Sequence, residues 1–214
     1  MNQVEKFFDE YAHDFNAIYG TKQSIVNTIA NPLFRKSMWK RYEKSIQNSD
    51  PIDGKTALDI GCGPGHYSVA LAKKGAAKVT GVDFAKNMID IATERAKAGG
   101  VADKCEFIVA DIFDFPADTK FNYSIVMGVM DYIENPATMI EKVISLTSDK
   151  AFFSFPIDGG LLAYQRKIRY KKRCPLFLYT EKSIADVLNQ FDNIEFSIEK
   201  ISRDFFVTLS IKQG

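Results

Sequence analysis

Cysteine and histidine are scarce in this chain: three cysteines, Cys62, Cys105 and Cys174, and two histidines, His13 and His66, in 214 residues. An odd number of widely separated cysteines offers no disulfide framework and no metal-ligand spacing, so the expectation is reduced thiols, a cytoplasmic setting and no bound metal. No apolar run reaches the ~18 residues that a membrane span needs. The opening residues, Met1-Asn2-Gln3-Val4-Glu5-Lys6, lack the charged and apolar regions of a signal peptide. No sign of charge prevails either: the net charge of +1 exerts no global pull towards nucleic acid or a membrane surface. Repeats and low-complexity tracts are absent. What remains is a soluble chain with 46% hydrophobic residues, enough to bury the core of one domain.

The periodicity sorts that chain into two parts. Over residues 1–50, Phe7, Phe8, Tyr11, Phe15, Ile18 and Tyr19 recur at helical spacing. After Asn31-Pro32 a second helix is predicted over Leu33–Gln47. Asp50-Pro51-Ile52-Asp53-Gly54 is a turn cluster and marks a boundary. From Lys55 onward strands and helices alternate: strands at 56–60, 78–82, 105–110, 121–127 and 150–155, with helices at 66–74, 85–98, 136–146 and 181–190 between or after them. Two final strands, 194–200 and 204–212, read as a hairpin. Repeated strand–helix pairs imply a parallel sheet covered on both faces.

Three of the strands deliver an acid near their carboxyl end. Ala57-Leu58-Asp59-Ile60 runs into Gly61-Cys62-Gly63-Pro64-Gly65; Val79-Thr80-Gly81-Val82 ends in Asp83; the run Cys105 to Ala110 ends in Asp111. In an open α/β sheet this is the outline of a nucleoside-binding crevice. Glycines let the loop turn tightly and come close to a ligand, and the helix after it offers free N–H groups and a positive dipole end. A dinucleotide fingerprint would place its third glycine three residues after the second. That position is His66 here, and the third glycine falls one residue earlier, at Gly65.

With this Asp-x-Gly-x-Gly-x-Gly form, together with Asp83 and Asp111, the chain resembles the class I S-adenosylmethionine-dependent methyltransferases. The likeness is strong over 55–155 and looser over 156–214. It implies an α/β fold, a doubly wound Rossmann-like seven-stranded sheet with an antiparallel C-terminal hairpin and an N-terminal helical lid. The corresponding division is a lid at 1–50 and a cofactor-binding methyltransferase domain at 51–214. It implies S-adenosylmethionine as cofactor, held by Gly61, Gly63, Gly65 and His66, with Asp59 near the methionine amino group. Asp83 would accept from the two ribose hydroxyls, as it would equally for NAD. Asp111 would accept from the adenine amino group while Ile112 packs on the ring; Phe84 and Met88 face either the ring's other side or the core. The segment Phe121 to Ile133 matches the family's fourth strand, with Asn122 where an acid often stands. Met127 would present its backbone carbonyl near the sulfonium, and Tyr19 would reach the cofactor from the lid.

Methyl transfer from a sulfonium is a one-step displacement that rests mainly on alignment. A general base is needed only for a protonated acceptor; the candidates are Asp131, Tyr132, His66 and His13, with His13 equally readable as a surface residue. Tyr11, Phe15, Arg35, Trp39 and Tyr42 either reach the pocket or form the lid's own core, and Arg35 is a candidate partner for a carboxylate. No Asn/Asp-Pro-Pro-aromatic run comes after the fourth strand and no Pro-Cys nucleophile is present, which argues against a nucleic-acid base as acceptor. The expectation is therefore a small-molecule acceptor methylated at oxygen or nitrogen. RNA or protein methylation, and a non-catalytic cofactor-binding regulator, are the alternatives. Residues 158–173 carry +5, mostly in Arg166 to Arg173, leaving −4 on the remainder. This run either attracts an anionic acceptor or is a solvated face. The sequence leaves the oligomeric state open.

Overall fold

The computed structural model describes residues 32–116, 120–160 and 175–212. Helix α1, Pro32–Asn48, begins with proline at its first position, where the missing N–H costs nothing. Next along the chain come β1 (Thr56–Ile60), α2 (His66–Lys74), β2 (Lys78–Asp83), α3 (Lys86–Gly99), β3 (Cys105–Val109) and β4 (Phe121–Val126). A short turn of 3₁₀-helix at Met130–Tyr132 leads to α4 (Pro136–Leu146), β5 (Thr147–Pro156), α5 (Glu181–Leu188), β6 (Ile194–Ile201) and β7 (Asp204–Ile211). The ends are set by local chemistry. Gly75 and Gly100 adopt positive φ and stop α2 and α3. Asn135 caps α4 ahead of Pro136, and a Thr180–Ser183 capping box starts α5.

The seven strands form one sheet in the order β3-β2-β1-β4-β5-β7-β6. The first five run parallel, and β7 lies antiparallel between β5 and β6. The expected fold, with its closing hairpin, is thus the observed one. Strand order reverses between β1 and β4, so their carboxyl ends diverge and leave the crevice in which open α/β sheets bind ligands. β1 and β2 are buried almost end to end, as strands covered on both faces must be. Neighbouring residues serve opposite faces: Phe153 packs with α4 and α5, and Phe152 with α2 and the α1 side.

Strand β5 starts three residues before the sequence expectation. Its first residues, Thr147-Ser148-Asp149, are polar, and they join the sheet by other means. Thr147 pairs with Phe121 ahead of a bulge, and Ser148 Oγ donates to the Phe121 carbonyl. Among the described residues no helix is long and apolar enough to cross a membrane, and no group of three or more His, Cys, Asp or Glu is placed to hold a metal.

Helix α1 docks through a mixed face, with Met38 buried beside a polar stripe that continues into the residue after the helix. Ser37, Arg41, Ser45 and Ser49, spaced by four, are all buried. The Ser45 hydroxyl donates to the Arg41 carbonyl and that of Ser49 to the Ser45 carbonyl. Beside this stripe, Tyr42 packs on Tyr67 of α2 at 5.5 Å between ring centroids.

Candidate functional site

The glycine loop, the β2 end and the turn after β4 form one connected cluster at the carboxyl edge of the sheet. The N–H groups of Gly61 and Cys62 both donate to the Val82 carbonyl, at 2.8 and 3.1 Å. Gly63 N–H donates to Asp83 Oδ2 and Ala85 N–H to Asp83 Oδ1, each at 2.9 Å. Ala110 N–H donates to the Asp83 carbonyl at 3.0 Å, which brings in the end of β3. Two glycines are sterically required. Gly61 has φ 63°, and a Cβ there would lie 2.5 Å from Val129 Cγ2. Gly65 has φ 74°, and its Cβ would lie 2.8 Å from that of Ala92 on α3. The loop is therefore wedged between the β4 turn and α3, with no space for a side chain at Gly61 or Gly65.

The acids fall into three environments. Asp59 is buried and its Oδ2 accepts from Ser68 Oγ at 2.6 Å and Ser68 N–H at 3.1 Å, so it ties β1 to the first turn of α2. Burial pushes its carboxyl up to about 7, against the pull of those bonds. Asp83 is also buried and raised by burial, opposed by backbone donors from Ala85, Gly63 and Phe84. Asp111 is exposed at the crevice rim, where Oδ1 accepts from Phe113 N–H at 3.0 Å in a local turn. Next to it Ile112 is buried in the core with Leu58 and Val82. Met88 is buried as well, packed with Ala85, Phe84 and Ile91. Phe84 itself is half-buried.

His66 opens α2. Burial, aided by the positive charge of Arg95, lowers its imidazole to about 3, so it is neutral at ordinary pH. A base that weak gives little drive for proton abstraction near neutrality. Arg95 in turn donates from Nε to the Pro64 carbonyl at 2.7 Å, bracing the loop.

After β4, Met127 is half-buried and Gly128 turns at φ 76°. Asp131 and Tyr132 sit in the short helical turn, Asp131 at 5% exposure and Tyr132 half-buried. Two contacts stitch the turn to the segment before α5. Phe177 N–H donates to the Asp131 carbonyl at 2.8 Å. The Tyr179 hydroxyl lies 3.0 Å from the Ile133 carbonyl and 3.3 Å from that of Met130, sharing one proton between them. Burial and the nearby Asp131 raise this phenol to about 12.

The structure brings Asp59, Gly61, Gly63, Gly65, His66, Asp83 and the 127–132 turn together at the carboxyl edge of the sheet. His13, Tyr19, Tyr11, Phe15, the side chain of Arg35 and the basic run 166–173 lie outside the described residues. Trp39 is 52% exposed, with its ring edge-on to Tyr42. Asn122 lies at the sheet's opposite edge, its Oδ1 accepting from Thr56 N–H at 3.0 Å.

The residue that sequence reasoning passed over is Arg41. It is buried, and its Nη1 lies 3.9 Å from where a Cβ on Gly128 would stand, so a guanidinium covers the end of β4. The serine spacing around it was the available signal, since a helix face of Ser-x-x-x-Arg-x-x-x-Ser has no apolar residue to bury in the arginine's place.

Residues 52–156, about half the chain, match the family model described as a methyltransferase domain. The ubiquinone biosynthesis O-methyltransferase of Vibrio campbellii is 32% identical over 113 residues, covering 51% of this chain and 47% of that protein. The ribosomal protein L11 methyltransferase of Salmonella arizonae is 31% identical over 111 residues, covering 52% and 33%. This chain therefore spans about half or less of the length of these curated relatives. The crystal structure of magnesium protoporphyrin IX methyltransferase from Synechocystis PCC 6803 with bound S-adenosylhomocysteine shares the fold at TM-score 0.80 and 19% identity, over 98% of both chains. The matched segment begins before β1 and ends with β5, and so contains the glycine loop, Asp83 and the β4 turn: the chain belongs to the class I S-adenosylmethionine-dependent methyltransferase family.

Proposed function

We propose that this chain transfers a methyl group from S-adenosylmethionine to oxygen or nitrogen of a small molecule. The residues fit the cofactor. Asp83 is a buried carboxylate at a strand end, already oriented by backbone donors, and two vicinal hydroxyls are its natural further partners. Asp111 at the rim is an acceptor for an exocyclic amino group, with Phe84 beside the same crevice. Gly61 and Gly65 let the loop seat against Val129 and α3, which a Cβ at either position would prevent. Arg41, over Gly128, supplies a positive charge for the methionyl carboxylate.

When bound, S-adenosylmethionine supplies the electrophilic methyl group. The chain's own residues orient the acceptor and handle its proton. The observation that carries the small-molecule reading is the burial of Asp131 in the turn after β4, between the glycine loop and the Tyr179 segment. A carboxylate enclosed there is suited to take a proton from a hydroxyl or to hold an ammonium, and an enclosed edge suits a compact acceptor. Tyr132 would line the same edge. The relative named for ubiquinone biosynthesis acts on an oxygen acceptor by its name, which agrees with this reading.

A second reading, methylation of a protein or RNA, is favoured by the relative named for ribosomal protein L11 and by the basic run 166–173. One experiment separates them: incubation with methyl-labelled cofactor and cell extract split into small molecules, RNA and protein. Label in the small-molecule fraction is expected. Label confined to RNA or protein would replace the first reading by the second.

A further inference from the structure

Strand β7 runs against its parallel neighbours, so it begins where they end. Its first residue, Asp204, pairs with Pro156 at the carboxyl edge of β5. Ser202 and Arg203 form the two-residue turn that brings it there from β6, with Ser202 at φ 57°, a conformation residues with side chains rarely adopt. Asp204 is 2% exposed. It accepts a hydrogen bond from the Ser37 hydroxyl of α1 and lies 3.7 Å from Arg41 Nε. On the far side of the same guanidinium, Arg41 Nη1 donates to Ser154 Oγ at 3.1 Å, and that oxygen also accepts from Gly128 N–H at 2.8 Å.

We propose that Asp204 is a positioning residue for cofactor binding: with Ser37 and Ser154 it holds the Arg41 guanidinium over Gly128 in the orientation that receives the methionyl carboxylate. This rests on the reading of Arg41 given above. An arginine side chain has many rotamers, and fixing it before the ligand arrives removes that cost from binding. The same contacts fasten α1 to the sheet, so the helix and its arginine are placed together. A buried ion pair suits this task better than it suits stability, because its desolvation offsets much of its attraction.

The test is calorimetry on the full chain with two probes, S-adenosylhomocysteine and 5′-methylthioadenosine, which share the nucleoside and differ by the amino-acid group. Asp204→Asn is expected to weaken S-adenosylhomocysteine about tenfold and methylthioadenosine less than twofold. In an Arg41→Gln background the Asp204 change should add less than twofold. Should Asp204→Asn not fold, Ser37→Ala is expected to lose about threefold on S-adenosylhomocysteine alone. Equal losses on both probes, unchanged affinity for both, or full additivity with Arg41→Gln would overturn the proposal. If Arg41→Gln itself leaves S-adenosylhomocysteine unaffected, it is the arginine's role that fails, and Asp204 with it.

Discussion

Replacing Gly61 by alanine tests how the loop is seated, and the structure fixes the size of the effect. Gly61 has φ 63°, and an added Cβ would approach Val129 Cγ2 to 2.5 Å. The left-handed backbone costs a residue with a Cβ ~1–2 kcal/mol. The overlap adds a cost typical of overpacking, ~1–3 kcal/mol, because Val129 is tied into the turn through its carbonyl, which accepts from Tyr132 N–H. Gly61→Ala should therefore lose roughly 2–5 kcal/mol by these two routes together. The second route can be removed separately. Val129→Ala deletes the colliding methyl and should cost roughly 1–2 kcal/mol by itself, from the apolar surface lost. In the double variant the new methyl occupies part of the space that Val129 vacates. The two changes should then fall short of additivity by about 1 kcal/mol or more, while the backbone cost stays. Urea unfolding monitored by circular dichroism measures all four proteins. A Gly61→Ala midpoint equal to wild type, or strict additivity in the cycle, would refute the reasoning.

Asp83→Ala should weaken S-adenosylhomocysteine and 5′-methylthioadenosine alike by roughly tenfold or more, since both carry the ribose and hydrogen bonds to a charged group contribute ~1.5–3 kcal/mol; calorimetry showing wild-type affinity for either rules the assignment out. Asp59 binds a proton up to about 7 in the folded chain, against an ordinary 3.8. Through that window the native state holds a proton the unfolded state has released, so stability falls as pH rises and the penalty is complete above about 7. Asp59→Asn removes this dependence, and its stability relative to wild type should improve between about pH 5 and pH 8; an unchanged difference speaks against it. His66 is lowered to about 3 from 6.5, so stability should fall as pH drops below 6.5, where only the unfolded chain takes up the proton. Imidazole NMR resonances of His66 that stay neutral at about pH 5 are expected, and a midpoint near 6.5 would contradict the burial argument.

Much of the fold was legible because its signals are local. Helix α2 begins after Gly65 and stops at Gly75, and α4 starts at Asn135-Pro136; both have the expected bounds because their punctuation lies within a few residues. The loop glycines and Asp83 were legible for the same reason, since a strand running into a tight turn writes its residues consecutively. Helix α1 was legible in its extent but not in the polar part of the face it buries. Trp39 is half exposed and Tyr42 half-buried against Tyr67, while the residues the helix buries are Ser37, Met38, Arg41 and Ser45. Hydrophobic periodicity has no access to a face that docks by hydrogen bonds.

Asp204 shows where such reading runs out in the sheet itself. A parallel strand delivers its carboxyl-terminal residues to the crevice, so an acid after an apolar run is a sound signal, and it finds Asp59, Asp83 and Asp111. An antiparallel strand delivers its amino-terminal residues to the same edge, so there the acid stands before the apolar run. In sequence, Ser202-Arg203-Asp204 has the composition of a solvated hairpin turn. Its burial comes from the register that sets Asp204 opposite Pro156 and from its contact with Ser37 of α1, 167 residues away in sequence. The criterion that finds Asp204 is thus the strand's direction: where a closing hairpin joins a parallel sheet, the first residue of the returning strand belongs among the candidates for the site.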